Sequence, residues 1–456
     1  MPTYSRRDRL AYRTLIILYY YGRFLSVFSW KLQKQKMVLQ KGQRCNRIFL
    51  LLWRICITMV FMTVMPTMLE PFISLSANTF ISIFAHLQVI SVSVFSVVSF
   101  VIQGRSEKKI FDIINGFIKL YKRISSQTGA KQILGRAFTL LIILKLLLSF
   151  LGLIYEIALL LEGGMGVDFM LGVYLWLALI YVLDSCFVGF LVIRQMYVEL
   201  AAHLVRMLDT MSVIESEQPP KPLSKHQAMK LLCVHAESID ESNAIYKMLY
   251  EVTKEFLHIF RWQIFYYIYY NFVITLMLML RFIWRYLDTG YFDLLSFFAS
   301  IFKFCNLTLL ILCAQGVVEK SQLPEIIDLD LVCSDIDARW DVSVETFICQ
   351  RKVENLEISV LGLFHLNNGF ILVIISAIMA YLFILIQFGL TMIAEAYSLL
   401  SKDVRKPVTW QNKTPQDKET YVLGVYVDIV EANLFRCESY NLGYSDWSKE
   451  TQKSLN

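Results

Sequence analysis

Seven stretches of this chain are apolar enough, for long enough, to cross a lipid bilayer, and they restrict the fold more than any motif does. They are Ile48–Met65, Phe80–Ile102, Ala137–Leu161, Phe169–Ile193, Ile259–Trp284, Tyr291–Val317 and Gly369–Ile393. A span needs ~20 predominantly apolar residues. Inside hydrocarbon, a segment of that length satisfies its own backbone only as a helix. Composition agrees: 56% of the 456 residues are hydrophobic and 18% are charged, where a soluble domain averages about 45–50% and about 25%. The expected fold class is an all-α polytopic membrane protein with seven transmembrane helices.

Orientation follows from Lys and Arg in the connections, which concentrate on the cytosolic side. Residues 1–47 hold eleven of them against the single acid Asp8, and 104–136 holds eight. Pro66–Asn78 and Glu162–Asp168 hold none. The N-terminus is therefore cytosolic, and an odd number of spans puts the C-terminus outside, the inverse of a G-protein-coupled receptor. The run Thr14–Trp30 carries Arg23 near its middle, which mid-bilayer burial would penalise. It is expected to lie as an interfacial helix within a cytosolic N-terminal segment, 1–47. The channel-sized domain is 48–393, with cytosolic connections 104–136, 194–258 and 318–368, and a polar tail follows at 394–456.

The cytosolic connections are helix-patterned. Leu200, Leu204 and Leu208, then Leu231, Leu232 and His235, recur at three- and four-residue steps. Spans four, five and six are expected to run on into the cytosol as a helical bundle. Net charge is only +6, without the concentrated basic face of a nucleic-acid binder. The nine cysteines and six histidines show no metal-ligand spacing, so neither metal nor other cofactor is expected. No paired aspartates, Ser/His set or His-x-x-x-His stands on facing spans, so no catalytic residue is assigned and the chain is not expected to be an enzyme.

Four charges lie well inside spans: Arg54, Lys145, Asp184 and Lys303. Lys145 and Asp184 sit at matching depth in antiparallel spans, and a Lys145–Asp184 or an Arg54–Asp184 pair would lower their burial cost. Lys303 is open between a water-facing position and a pair with an acid that depth does not identify.

Near the end of the chain stand Gly362-Leu363-Phe364, a short polar turn, and then a last span containing Tyr381, five hydrophobic residues, and Gln387-Phe388. With Tyr19-Tyr20-Tyr21-Gly22-Arg23-Phe24-Leu25 near the start, the span count and the inverted topology, the chain resembles the insect gustatory receptors over about residues 15–390. The family's motif begins with Thr, and here that place is Ala380. Family chains usually stop close to Gln-Phe, whereas 68 residues follow Phe388 here. They include a sequon at Asn412, and read as an extracellular tail or as a product of gene prediction.

The resemblance implies a tastant-gated, non-selective cation channel, a homo- or heterotetramer in the plasma membrane of sensory neurons, with the last helix lining the pore. Ile384, Gln387 and Phe388 carry over as pore residues, and i, i+3, i+4 spacing puts them on one helical face. Gln387 read by itself fits a pore or a hydrogen bond to a neighbouring helix equally well. Tyr381 is expected to pack on a neighbouring helix. The ligand is expected in the outer halves of spans two to six, where His86, Tyr155, Glu156, Tyr174, Trp176, Tyr181, Phe297 and Phe298 are candidates. The tyrosine-rich run Tyr266–Tyr270 is assigned to packing. A bitter or contact cue is favoured over a sugar. The competing reading is a seven-helix receptor that signals through a cytosolic partner.

Overall fold

The computed structural model describes residues 6–25, 31–33, 36–38, 48–49, 52–53, 55–60, 62–63, 79–129, 136–162, 167–215, 225–290, 292–322 and 337–404. Helix α1 (Arg6–Phe24) precedes a short antiparallel hairpin, β1 (Lys31–Gln33) with β2 (Lys36–Val38). The described positions between 48 and 63 are helical. Then come α2 (Thr79–Thr128), α3 (Arg136–Glu162), α4 (Val167–Glu215), α5 (Lys225–Thr289), α6 (Leu294–Ser321) and α7 (Ala338–Val353). A second hairpin, β3 (Ser359–Val360) with β4 (Phe364–His365), leads into α8 (Asn368–Val404). Residues 1–389 form one compact unit and 390–456 a second, of which only the continuation of α8 to Val404 is described.

Among the described residues, five helical stretches are long and apolar enough to span: Ala137–Tyr155, Leu177–Met207, Met229–Tyr286, Leu294–Ser321 and Asn368–Phe388. The expected spans Ile48–Met65 and Phe80–Ile102 fall on stretches described only in part. The chain is all-α in its bulk, as expected.

The long helices extend far beyond a bilayer. At 1.5 Å per residue, the 65 residues of α5 reach about 98 Å, against a hydrocarbon core about 30 Å thick. Neither glycine nor proline interrupts α5, and Leu232, Ala236, Ile239, Ile245, Leu249 and Phe256 keep one buried stripe through the cytosolic half. Span two is prolonged as well, which the pattern of charges concealed. Ile110, Ile113, Leu120 and Ile124 are buried along one face of α2 between its lysines. Span six instead stops at Ser321, where the Gln322 N–H bonds back to the Val318 and Glu319 carbonyls.

Helix α5 is the central element, packing on α2, α4, α6 and α7. Phe256 holds the α2–α4–α5 seam, with its ring 6.3 Å from Phe117 and 5.6 Å from Phe190. Helix α7 begins at Asp337, whose carboxylate accepts from the Arg339 N–H, a stabilising N-cap. It buries Trp340, Val344, Phe347 and Arg351 along one face.

The Gly-Leu-Phe motif acquires a structural reason here. Leu361 and Gly362 adopt φ of +54° and +73°, a left-handed conformation that costs a residue with a Cβ ~1–2 kcal/mol and glycine almost nothing. The turn aims Phe364 at Phe370, stacked at 4.4 Å, and at Phe265 of α5, 6.5 Å away. Asn367 then caps α8, accepting from the Phe370 N–H at 2.9 Å.

The last turn of α1 lies within the bundle and not on a membrane surface. The Tyr21 ring meets Tyr181 of α4 edge-on at 5.6 Å, and the Tyr174 hydroxyl donates to the Leu25 carbonyl at 3.2 Å.

Candidate functional site

Four helices, α3 to α6, bring their intramembrane polar residues to one place. Lys145 of α3 is 3% exposed, so its ammonium needs partners for each N–H. It has three. Its Nζ stands 2.8 Å from Asp184 Oδ1 on α4 and 2.5 Å from the Tyr267 hydroxyl on α5, and it donates to Asn306 Oδ1 on α6. The other Asp184 oxygen accepts from Ser149 Oγ at 2.9 Å. The Tyr267 hydroxyl donates onward to the Asn306 carbonyl at 3.3 Å. Aromatic faces complete the surroundings, with the Lys145 ammonium 4.9 Å from the Tyr267 ring and 5.6 Å from Phe187. Of the two pairings open for Asp184, this is the one to Lys145; Arg54 lies outside the described residues.

Beside this network is a cavity of about 20 Å³, lined by Ser149, Asp184, Tyr267, Asn271, Phe302 and Lys303 among others. A site of that size holds roughly one water. The Lys303 ammonium lies 5.3 Å from the Tyr270 ring and next to Gly152, whose missing side chain leaves it room.

Several expected pocket residues stand elsewhere. Tyr155 is buried on α3. Tyr174 and Tyr181 face α1, and Phe297 and Phe298 join Phe282 and Phe292 in an aromatic cluster at the outer ends of α5 and α6. The side chains of His86, Glu156 and Trp176 lie outside the described residues, as does Asn412. Conversely, Tyr267 and Tyr270, assigned from sequence to packing, line the cavity. Ser149, Asn271 and Asn306 were not singled out at all. Their signal was a polar side chain in a span at the depth of Lys145.

The contact between α1 and α4 leaves no space for a methyl group. A Cβ built on Gly22 would come within 2.3 Å of the phenolic end of Tyr181, itself 7% exposed. Gly22→Ala is expected to destabilise the protein by about 1–3 kcal/mol through overpacking, read as a lower unfolding temperature in detergent. Gly22→Ala combined with Tyr181→Leu should recover most of the loss. A double variant no better than the single one refutes this contact.

Helix α8 supplies the second candidate feature. Ile374, Ile378 and Leu382, at four-residue steps, are its buried residues against the rest of the subunit. Ile384 and Phe388 are 45% and 56% exposed, and Gln387 is exposed with them. Tyr381 meets Phe272 of α5 edge-on at 6.1 Å.

Comparison with known proteins gives three findings. The family described as 7tm chemosensory receptor matches residues 15–392. A gustatory receptor for bitter taste, 93a of Drosophila melanogaster, is 39% identical over 400 residues, covering 85% of this chain and 95% of its own. The solved structure of the insect olfactory receptor OR5 from Machilis hrabei aligns with a TM-score of 0.50 at 12% identity, over 84% of this chain and all of that one. The last likeness concerns the fold alone.

Proposed function

Because the chain belongs to the 7tm chemosensory receptor family, we propose that it is a gustatory receptor working as a tastant-gated, non-selective cation channel. The observation that carries this reading is the face of α8. In a helix this apolar, the exposed side holds one amide, Gln387, between Ile384 and Phe388. An amide against lipid is costly, so this face is suited to water or to a second subunit. Arranged around an axis in a tetramer, Gln387 side chains would replace part of an ion's hydration. Ile384 and Phe388 would form an apolar constriction that closes by losing its water. Without a charged ring there, selectivity among cations would be weak.

The tastant is a small molecule taken up between α3, α4, α5 and α6, with the Lys145–Asp184 network as the floor of its site. A bitter compound is the favoured class, by likeness to a relative named for bitter taste. The receptor would act in the plasma membrane of sensory neurons as a homo- or heterotetramer, with its N-terminus in the cytosol.

The test is ion permeation through the receptor expressed in cultured cells. Gln387→Glu should raise the permeability of divalent over monovalent cations and shift the reversal potential. Gln387→Arg should abolish the cation current while leaving surface expression intact. If both variants reach the surface and neither alters the reversal potential or the current, Gln387 is a packing residue and the pore lies elsewhere.

A further inference from the structure

Asn271 of α5 lines the small cavity and is 2% exposed. Its Nδ2 donates to the Tyr267 carbonyl one turn earlier, at 2.8 Å, which fixes the orientation of the amide. Its Oδ1 is buried and has no hydrogen-bond partner. The Thr275 hydroxyl, one turn later, bonds the Asn271 backbone carbonyl and so does not serve the side chain. Both oxygens of Asp184 are occupied, by Lys145 and by Ser149. The cavity therefore presents a buried acceptor where low polarity makes an unmade bond expensive.

We propose that this cavity receives a neutral hydrogen-bond donor, a hydroxyl or amide N–H at the tip of an amphipathic ligand, and that Asn271 reads it. The proposal rests on the assignment of the tastant site to the space between α3 and α6. Size, chemistry and charge each narrow the class. A volume of about 20 Å³ admits one hydroxyl-sized group, so the ligand's tip enters while its body lies outside. An apolar tip would displace any water there and leave Oδ1 bare. A cationic tip would approach two ammonium groups, Lys145 and Lys303, both at this site.

The experiment uses the full-length receptor reconstituted in lipid, with three probes of similar shape: 4-propylphenol, 4-propylanisole and 4-propylbenzylamine. Affinity is read from the dependence of the unfolding temperature on probe concentration, and current is recorded in the same lipid. The phenol is expected to bind at least about tenfold more tightly than the ether or the amine, a difference of about 1.4 kcal/mol. Asn271→Leu should bring the phenol down to the affinity of the ether and leave the ether unchanged. The wild-type comparison decides by itself should that variant not fold. Equal affinity for phenol and ether, binding of neither, or a preference that survives Asn271→Leu would overturn the proposal. Selective binding of the phenol without current would retire the channel reading and leave this one standing. A current evoked equally by all three probes would do the reverse.

Discussion

Lys145→Leu or Asp184→Leu, made singly, is expected to remove the receptor from the cell surface, and the two together to restore most of it. Removing one partner of a buried ion pair strands the other charge, typically at a cost of about 3–5 kcal/mol. Here the stranded group lies between helices inside a membrane. Asp184 would keep only the Ser149 hydroxyl. Lys145 would keep Tyr267 and Asn306, two neutral acceptors for a full charge. The double replacement exchanges the pair for apolar side chains of similar volume, a change that is often close to neutral. Recovery should fall short by about 1–2 kcal/mol, because the Tyr267 hydroxyl and Asn306 lose the ammonium as a donor. Surface labelling in cells, with unfolding temperatures of the purified variants, measures both quantities. Additive losses in the double variant would show that the two residues act separately.

That pair was half legible in the sequence. Charge inside hydrocarbon needs an opposite charge at the same depth, so Asp184 was confined to Lys145 or Arg54. Depth alone could not separate them, because it carries no information on which helices are neighbours. The polar residues that complete the network were hidden for a different reason. Tyr267 and Tyr270 sit in a run of five residues with four tyrosines, where packing and polar function look the same. Asn271 and Asn306 matter only because α5 and α6 turn them inward. The extension of α2 was masked by its lysines, which mark the cytosolic side while the stripe from Ile110 to Ile124 goes on burying one face. The position of α1 was misread because Arg23 argued for a surface helix, whereas Gly22 beside it is what admits the helix to Tyr181. Periodicity did reveal the spans, the cytosolic extension of α5 and the pore-side face of α8, since those depend on local order along one chain.

The second large effect is expected at Arg351, where three helices of the cytosolic bundle meet. Its guanidinium lies flat on the Tyr246 ring of α5 at 3.5 Å and donates through Nη2 to the Ser321 carbonyl at the end of α6. That carbonyl also accepts from the Tyr246 hydroxyl at 3.2 Å. A cation at a helix C-terminus is stabilising, and a desolvated cation over an aromatic face adds about 2 kcal/mol. Against this, Nε and Nη1 are buried without partners. Arg351→Ala should therefore lower stability by about 2–4 kcal/mol, from the lost charge-assisted bond, the lost ring contact and the space left behind. Arg351→Met keeps the stem and removes the unpartnered N–H groups, so its loss should be smaller. Burial pushes the Arg351 pKa down from 12.5 to about 10. Between those values the unfolded chain binds the additional proton, so the residue's contribution to stability rises with pH in that window and is flat below it. The stability gap between wild type and Arg351→Met should accordingly stay constant from pH 6 to pH 9. Hydrogen exchange should show the protection loss of Arg351→Ala concentrated in α7 and the last turn of α6. Because α7 is followed by the hairpin that carries Phe364 onto α5 and Phe370, loosening it should also weaken ligand-evoked current more than surface expression. Equal losses of the two would make Arg351 a residue of folding alone.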